Sequence, residues 1–102
     1  MTEFGQRAPP AATEIIGILN IPVDDSSWTE VAVPAAAGSA CKALAAKLLT
    51  GNDWHVSHVE AGTTSVKLDG PLTLDVDALA GDVLFYAQTD SGDDTLQVLL
   101  LN

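Results

Sequence analysis

Leu72-Thr73-Leu74-Asp75-Val76-Asp77 is the stretch that decides the fold of this 102-residue chain, because it alternates apolar and polar residues without interruption. Successive side chains of a β-strand point to opposite faces, so the alternation predicts a half-buried strand. The apolar row is expected to face a core and the polar row to face solvent. This pattern indicates a sheet protein with one buried and one solvated face.

Short apolar stretches recur on both sides of this strand, with turn-forming residues between them about every 8–12 residues. Downstream, residues 83–87 are apolar, and the polar loop 90–94 leads into residues 95–101 as in a β-hairpin. Upstream, four stretches have strand composition: Ile15–Val23, residues 28–33, residues 54–59 and Ser65–Leu68. Pro22 cannot donate to a central ladder, so the first of these is expected at a sheet edge.

The alternation also predicts which side chains are buried. Because aromatic residues make up only 5% of the chain, the core is expected to be mainly aliphatic. The side chains expected in the core are Trp54, Val56, Leu72, Leu74, Val76, Leu84 and Leu96. Those expected at the surface are His55, Ser57, Thr73, Asp75 and Asp77.

Residues 39–50 conflict with the strand pattern. They are rich in Ala and Leu, Ser39 is a suitable N-terminal cap and Gly51 a suitable stop, so local propensity predicts a helix. As a strand, the segment would place Lys42 on one face with Leu44 and Leu48, which is a poor alternation.

The charge of the chain excludes two classes of partner. It carries 14 acidic and 4 basic residues, for a formal net charge of −10. Nucleic acids and anionic membranes are both bound through Lys and Arg, so neither is an expected partner. No apolar run reaches the length of about 18 residues that a transmembrane helix needs.

Potential metal ligands and nucleophiles are few. Cys41 is the only cysteine and cannot form an internal disulfide. His55 and His58 point to opposite faces if their segment is a strand, so they are expected to be surface residues rather than zinc ligands or a Cys/His catalytic pair. No catalytic residue, metal site or cofactor is predicted.

Two groups of acidic residues are candidate sites. Asp90, Asp93 and Asp94 surround Gly92, but their spacing matches no known calcium loop, which favours a polar turn. The second group consists of Asp75, Asp77 and Asp82, which lie on the alternating strand and in the turn that follows it. We interpret it as a solvated face rather than an acid/base pair.

Two segments are candidates for contact with a partner. Residues 1–12 contain Pro9-Pro10, which favours extended geometry, and we expect an arm that contacts another chain. Residues 95–101 are almost all apolar, which predicts a strand with a subunit interface on one face. The candidate partner-binding residues are Phe4, Arg7, Pro9, Pro10, Leu99 and Leu101.

The later part of the chain carries a set of strand motifs: Val33-Pro34-Ala35, Cys41-Lys42, Asp53-Trp54-His55-Val56-Ser57, Gly81-Asp82-Val83-Leu84-Phe85-Tyr86-Ala87-Gln88 and Thr95-Leu96-Gln97-Val98-Leu99-Leu100-Leu101. In these motifs residues 28–102 resemble small β-sandwich virion accessory proteins of tailed bacteriophages, of the capsid cement or decoration type. The resemblance implies a strand at residues 41–49, against the local helix propensity.

The sequence thus predicts an all-β protein: a small antiparallel β-sandwich, jelly-roll or immunoglobulin-like, of seven or eight short strands in residues 13–102, preceded by an extended arm at residues 1–12. The resemblance implies a non-catalytic protein on the outer capsid surface of a virion, which bridges neighbouring capsid subunits. Its expected partners are the major capsid protein or another virion protein, and further copies of itself in a homo-oligomer.

The alternative is a carbohydrate- or Ca²⁺-binding adhesion module. It would use Trp28 or Trp54 to stack on a sugar and the loop at residues 90–94 to bind the cation. An enzyme that uses Cys41 with His55 or His58 has the least support, because no catalytic motif accompanies them.

Overall fold

Eight β-strands form the domain in the computed structural model, which describes residues 14–35, 37 and 40–102. They are β1 Ile15–Val23, β2 Thr29–Ala32, β3 Cys41–Leu48, β4 Trp54–Ser57, β5 Ser65–Leu68, β6 Leu72–Ala78, β7 Val83–Thr89 and β8 Asp94–Leu101. Within these described residues no helix is long and apolar enough to cross a membrane. The all-β prediction is confirmed, while the predicted arm at residues 1–12 lies outside the described residues.

The strands pair as one long hairpin that bends at the connection between β4 and β5. β1 pairs with β8, β2 with β7, β3 with β6 and β4 with β5, all antiparallel. Rolling up this hairpin brings β3 beside β8 and β4 beside β7. The result is a first sheet of order β1-β8-β3-β6 and a second sheet of order β2-β7-β4-β5. This is the jelly-roll arrangement, one of the two sandwich types predicted.

The polar loop after β7 connects the two sheets. β7 belongs to the second sheet and β8 to the first, so the hairpin predicted around residues 90–94 is wrong. The loop is held to the β1–β2 turn instead: the Thr89 N–H donates to the Asp24 carbonyl at 3.0 Å, and the Gly92 N–H donates to Asp25 Oδ2 at 2.8 Å. Strand β1, which contains Pro22, lies at the edge of the first sheet as predicted.

Strand β3 forms where local propensity predicted a helix, and a β-bulge explains how. The register against β6 shifts between Cys41 and Ala43, so the strand can turn both Cys41 and Leu44 inward although they are three residues apart. β3 is flanked by β8 and β6, and Ala46 and Leu48 complete its buried row. The helix prediction for residues 39–50 is therefore wrong, because burial in the centre of a sheet outweighs a small intrinsic preference.

The core lies between the sheets and confirms part of the predicted list. Trp54 and Leu96 are buried, and the Trp54 indole N–H donates to the Gly70 carbonyl at 2.9 Å. Four predicted residues are only half-buried and pack at the margin of the core: Val56, Leu72, Val76 and Leu84. Leu74 is 40% exposed, so its predicted burial is wrong. Its strand β6 is a sheet edge, and nothing in the described part of the chain covers the side chain there.

Ser57 was predicted to be exposed and is buried, which makes that prediction wrong. Its hydroxyl proton is shared between the carbonyls of Val59 and Thr64, at 2.9 and 2.8 Å, and its oxygen accepts the Val59 N–H, so it holds the connection between β4 and β5 against the sheet. Gly62 in the same connection has a positive φ of 69° and lies directly against the ring of Trp28. The strand pattern places Ser57 on the outer face correctly, but the folded-back loop covers it.

Candidate interaction surface

The outer face of the first sheet carries a block of apolar side chains. Strand register places Ile15, Leu101 and Ala43 in one row across β1, β8 and β3. The next row contains Ile18, Leu99 and Ala45. We call these side chains the apolar block: Ile15, Ile18, Ala43, Ala45, Leu99 and Leu101.

The apolar block is exposed and uneven. Ile15 is 59% and Ile18 63% exposed, which is high for side chains of this size in regular strands. A shallow depression of about 260 Å³ lies between Ile18, Ala45, Pro71 and Leu99. A second one of about 270 Å³ lies beside Leu101, on the β3–β6 side of the block. Apolar side chains of a partner therefore have recesses to enter.

The outer face of the second sheet is different. His55 lies between Lys67 on β5 and Gln88 on β7, and Tyr86 lies beside Glu30. These paired outer positions are polar or charged on all four strands. A sandwich needs only its inner faces to be apolar, so the contrast between the two outer faces singles out the first sheet as the one suited to a partner.

Polar groups border the apolar block. The third row of the first sheet contains Asn20, Gln97 and Lys47, and Gln97 Nε2 donates to Asn20 Oδ1 at 3.1 Å. On the β6 side, Thr73 and Asp75 continue the two apolar rows and end them. An apolar centre with a polar rim is the usual composition of a protein–protein interface.

The candidate partner residues fall into two groups. Leu99 and Leu101 belong to the apolar block and alternate with the buried row Leu96, Val98 and Leu100 of β8. The other four lie outside the described residues: Phe4, Arg7, Pro9 and Pro10. Sequence reasoning missed Ile15 and Ile18, although the stretch IIGILNI is as apolar on both faces as β8 and gives the same signal.

The potential Cys/His group is not brought together. Cys41 is fully buried on the inner side of the first sheet, and its Sγ donates to the Ala43 carbonyl at 3.3 Å. His55 lies on the outer face of the second sheet, with Nε2 at 3.0 Å from Asp90 Oδ1. His58 is exposed in the loop after β4. The second sheet itself therefore separates the cysteine from His55.

The acidic residues of the loop after β7 face different partners. Asp90 accepts from His55 and lies 3.5 Å from Lys67 Nζ, and these two groups hold the pKa of Asp90 below its ordinary value, the hydrogen bond with His55 contributing most. Asp94 accepts from the hydroxyl of Thr50 on another connection. Across residues 14–35, 37 and 40–102, no group of three or more His, Cys, Asp or Glu side chains is arranged to hold a metal ion.

The second acidic group is dispersed along β6 and its exit turn. Asp77 forms an exposed ion pair with Lys42 at 3.3 Å, and Asp82 Oδ2 accepts the Leu79 N–H at 2.8 Å. Asp75 is exposed on the outer row of β6. The carboxylates thus bind neighbouring groups of the fold or face solvent.

Comparison with known proteins identifies no relative: the chain matches no family model, no curated protein and no solved structure.

Proposed function

We propose that this chain is a non-catalytic structural protein of a bacteriophage virion, a capsid cement or decoration protein that bridges neighbouring capsid subunits on the outer capsid surface. Its partners are the major capsid protein or another virion protein, together with further copies of itself. The observation that carries the proposal is the apolar block on one outer face of an otherwise acidic sandwich.

The size of the apolar block explains why such a protein would act in many linked copies. It covers about three strand spacings of 4.8 Å by roughly 10 Å along the strands, or on the order of 150 Å². A stable pairwise interface needs about 800 Å² from each partner. One block therefore binds weakly, and firm attachment requires several contacts on the same particle, where linked sites raise the effective concentration.

The charge of the chain fits this use. A formal net charge of −10 on 102 residues keeps free copies apart in solution through repulsion. The apolar block carries no charged side chain, so contact through it does not bring acids of two chains together. Attachment would then depend on the hydrophobic effect, which is proportional to the apolar area removed from water.

The fold is compatible with the proposal and with the adhesion-module alternative, since jelly rolls occur in viral capsid domains and in lectins. The two tryptophans weigh against sugar stacking. Trp54 is 1% exposed and its N–H is bonded within the domain. Trp28 lies against Gly62. Trp54 therefore presents no face to a sugar, and Gly62 covers part of the half-buried Trp28 indole.

Particle binding tests the proposal. Antibody raised against the purified protein should label phage particles from the source culture in immunogold electron microscopy. The purified protein should also sediment with particles from which it has been stripped. Absence of labelling and of co-sedimentation would refute the proposed function.

A matched pair of variants tests whether the apolar block is the attachment surface. Leu99→Asp places a charge in the block, on a strand flanked on both sides. Gln88→Asp places the same charge at an equivalent outer position on β7 of the second sheet. Leu99→Asp should abolish co-sedimentation and Gln88→Asp should leave it unchanged. Equal binding by the two variants would exclude the block as the attachment surface.

A further inference from the structure

Two side chains that face inward, one on β5 and one on β6, are exposed at one edge of the sandwich. Val66 on β5 pairs with Val56, which points inward with Trp54, so Val66 also faces the interior. It is nevertheless 59% exposed. Leu74, on the edge strand β6 of the first sheet, also faces inward and is 40% exposed. The sandwich is thus open to solvent where the edge strands β5 and β6 carry these two side chains.

A cleft of about 290 Å³ occupies this open side. Its walls are mostly apolar: Val56, Val66, Leu72, Leu74, Leu84 and Phe85. Ser57, His58 and Thr64 lie around the same cleft. A cavity of about 150 Å³ already accommodates a benzene ring, so this cleft has room for an aromatic side chain and a neighbour.

The edge beside the cleft can accept an added strand. The outer edge of β6 is unpaired in the described residues and can accept one more strand. An isolated extended segment can pair with this edge and place a side chain over the cleft.

We infer that residues 2–8 of a second copy add to β6 as a further strand and that Phe4 fills the cleft beside Leu74. Phe4 is the one large apolar side chain of this segment, and in an extended strand it points to the face opposite Glu3 and Gly5. The inference rests on the proposed function, in which the protein forms homo-oligomers, and it names the surface that receives the arm.

Charge selects the direction of the added strand. In a parallel register with Phe4 beside Leu74, Arg7 lies beside Asp77 and Glu3 beside Thr73. In the antiparallel register Glu3 would lie beside Asp75, and like charges directly opposite are destabilising. The parallel register is therefore favoured, although parallel pairs are slightly less stable per residue.

Chain length favours a second copy over the same molecule. β1 and β6 are the two edges of the first sheet, so a strand beyond β6 lies four spacings, about 19 Å, from β1. Residues 9–14 span about 19 Å when fully extended in polyproline geometry. Within one molecule the connection would be taut, without slack to pass around the end of the sandwich. A segment from a second copy has no such limit.

Disulfide trapping tests the inference on the isolated full-length protein. With Cys41→Ala as background, a Phe4→Cys protein is mixed with a tagged Leu74→Cys protein and gently oxidised. Paired strand residues lie within the distance range of a disulfide, so a mixed dimer should form. Thr73→Cys is the control, because its side chain points to the opposite face. At least tenfold less mixed dimer is expected with Thr73→Cys, and equal yields would overturn the inference.

The same cysteines distinguish a second copy from the same chain. A single chain with Phe4→Cys and Leu74→Cys should form oligomers whose yield falls on dilution. A monomeric product that is independent of dilution would overturn the exchange between copies.

Charge reversal supplies a second measurement without introduced cysteines. Arg7→Glu should weaken self-association in sedimentation at least severalfold, and adding Asp77→Arg should restore it. Failure to restore would refute the register. Trapping without particle binding would refute the proposed function alone, and particle binding without trapping would refute this inference alone.

Discussion

Leu100 and Leu99 are neighbours on β8, and truncating each of them measures how differently the two faces of the first sheet are used. Leu100 is fully buried and lies between Gly17 on β1 and Leu44 on β3. Gly17 has no side chain to move into the space left by Leu100→Ala. The cost should therefore lie in the upper part of the range for Leu→Ala in a core, at about 4 kcal/mol.

Leu99→Ala removes a half-buried side chain from an open face, where no closed cavity can form. Only part of the 1.5–3 kcal/mol for burying a leucine is lost, so the expected cost is about 1 kcal/mol. Urea unfolding followed by tryptophan fluorescence at low protein concentration gives both values. A 4 kcal/mol loss corresponds to a fall in Tm of about 16–32 °C in a domain near 100 residues.

Repeating the urea experiment at a hundredfold higher concentration controls for self-association, which stabilises by mass action. Equal losses for Leu99→Ala and Leu100→Ala at low concentration would refute the reasoning. They would mean that both faces of β8 are covered within the isolated chain.

Three further predictions concern the turns, acid stability and assembly. Gly62→Ala should lower the free energy of unfolding by more than about 2 kcal/mol, because its Cβ would lie 2.1 Å from the Trp28 ring. Gly51→Ala is the control, since Gly51 also has a positive φ but lies in open space, and it should lower the same quantity by only about 1 kcal/mol in the same assay. Backbone N–H groups lower the pKa of Asp24, and His55 and Lys67 that of Asp90. The stability that these carboxylates contribute is complete above their ordinary pKa and is lost as pH falls through the lowered value. Asp24→Asn should therefore reduce the loss of the urea unfolding midpoint at acid pH. The same loss in the variant and the parent protein would contradict this. Self-association, measured by light scattering, should strengthen as NaCl rises from low to moderate concentration, because salt screens the repulsion between chains of net charge −10 but does not weaken apolar contact. Dissociation on addition of salt would contradict this prediction.

Strand positions could be predicted from the sequence because alternation and turn residues are local signals. LTLDVD and the apolar stretch before residue 90 correspond to β6 and β7. Strand β3 could not be found from propensity, because the bulge that turns Cys41 and Leu44 to the same side depends on pairing with a distant strand. The loop at residues 90–94 has hairpin composition, but composition carries no information on which sheet the next strand joins.

The candidate surface was half predictable. Leu99 and Leu101 stood out because β8 is apolar on both faces. Ile15, Ala43 and Ala45 join them only through the register of three strands that are far apart in sequence. The exposure of Leu74 follows from the position of β6 at the edge of the sheet, and the pattern of one strand does not encode its place in the strand order.

Pairing between β1 and β8 also sets a time on folding during synthesis. About seventy residues separate the two strands, so at 5–20 residues per second β1 waits about 4–14 s for β8, the strand that pairs with it in the described part of the chain. During that interval an apolar strand with Ile15 and Ile18 is without its partner. A cell that makes this protein in many copies would therefore hold a standing population of nascent chains with β1 unpaired, and these chains are natural clients for ribosome-associated chaperones.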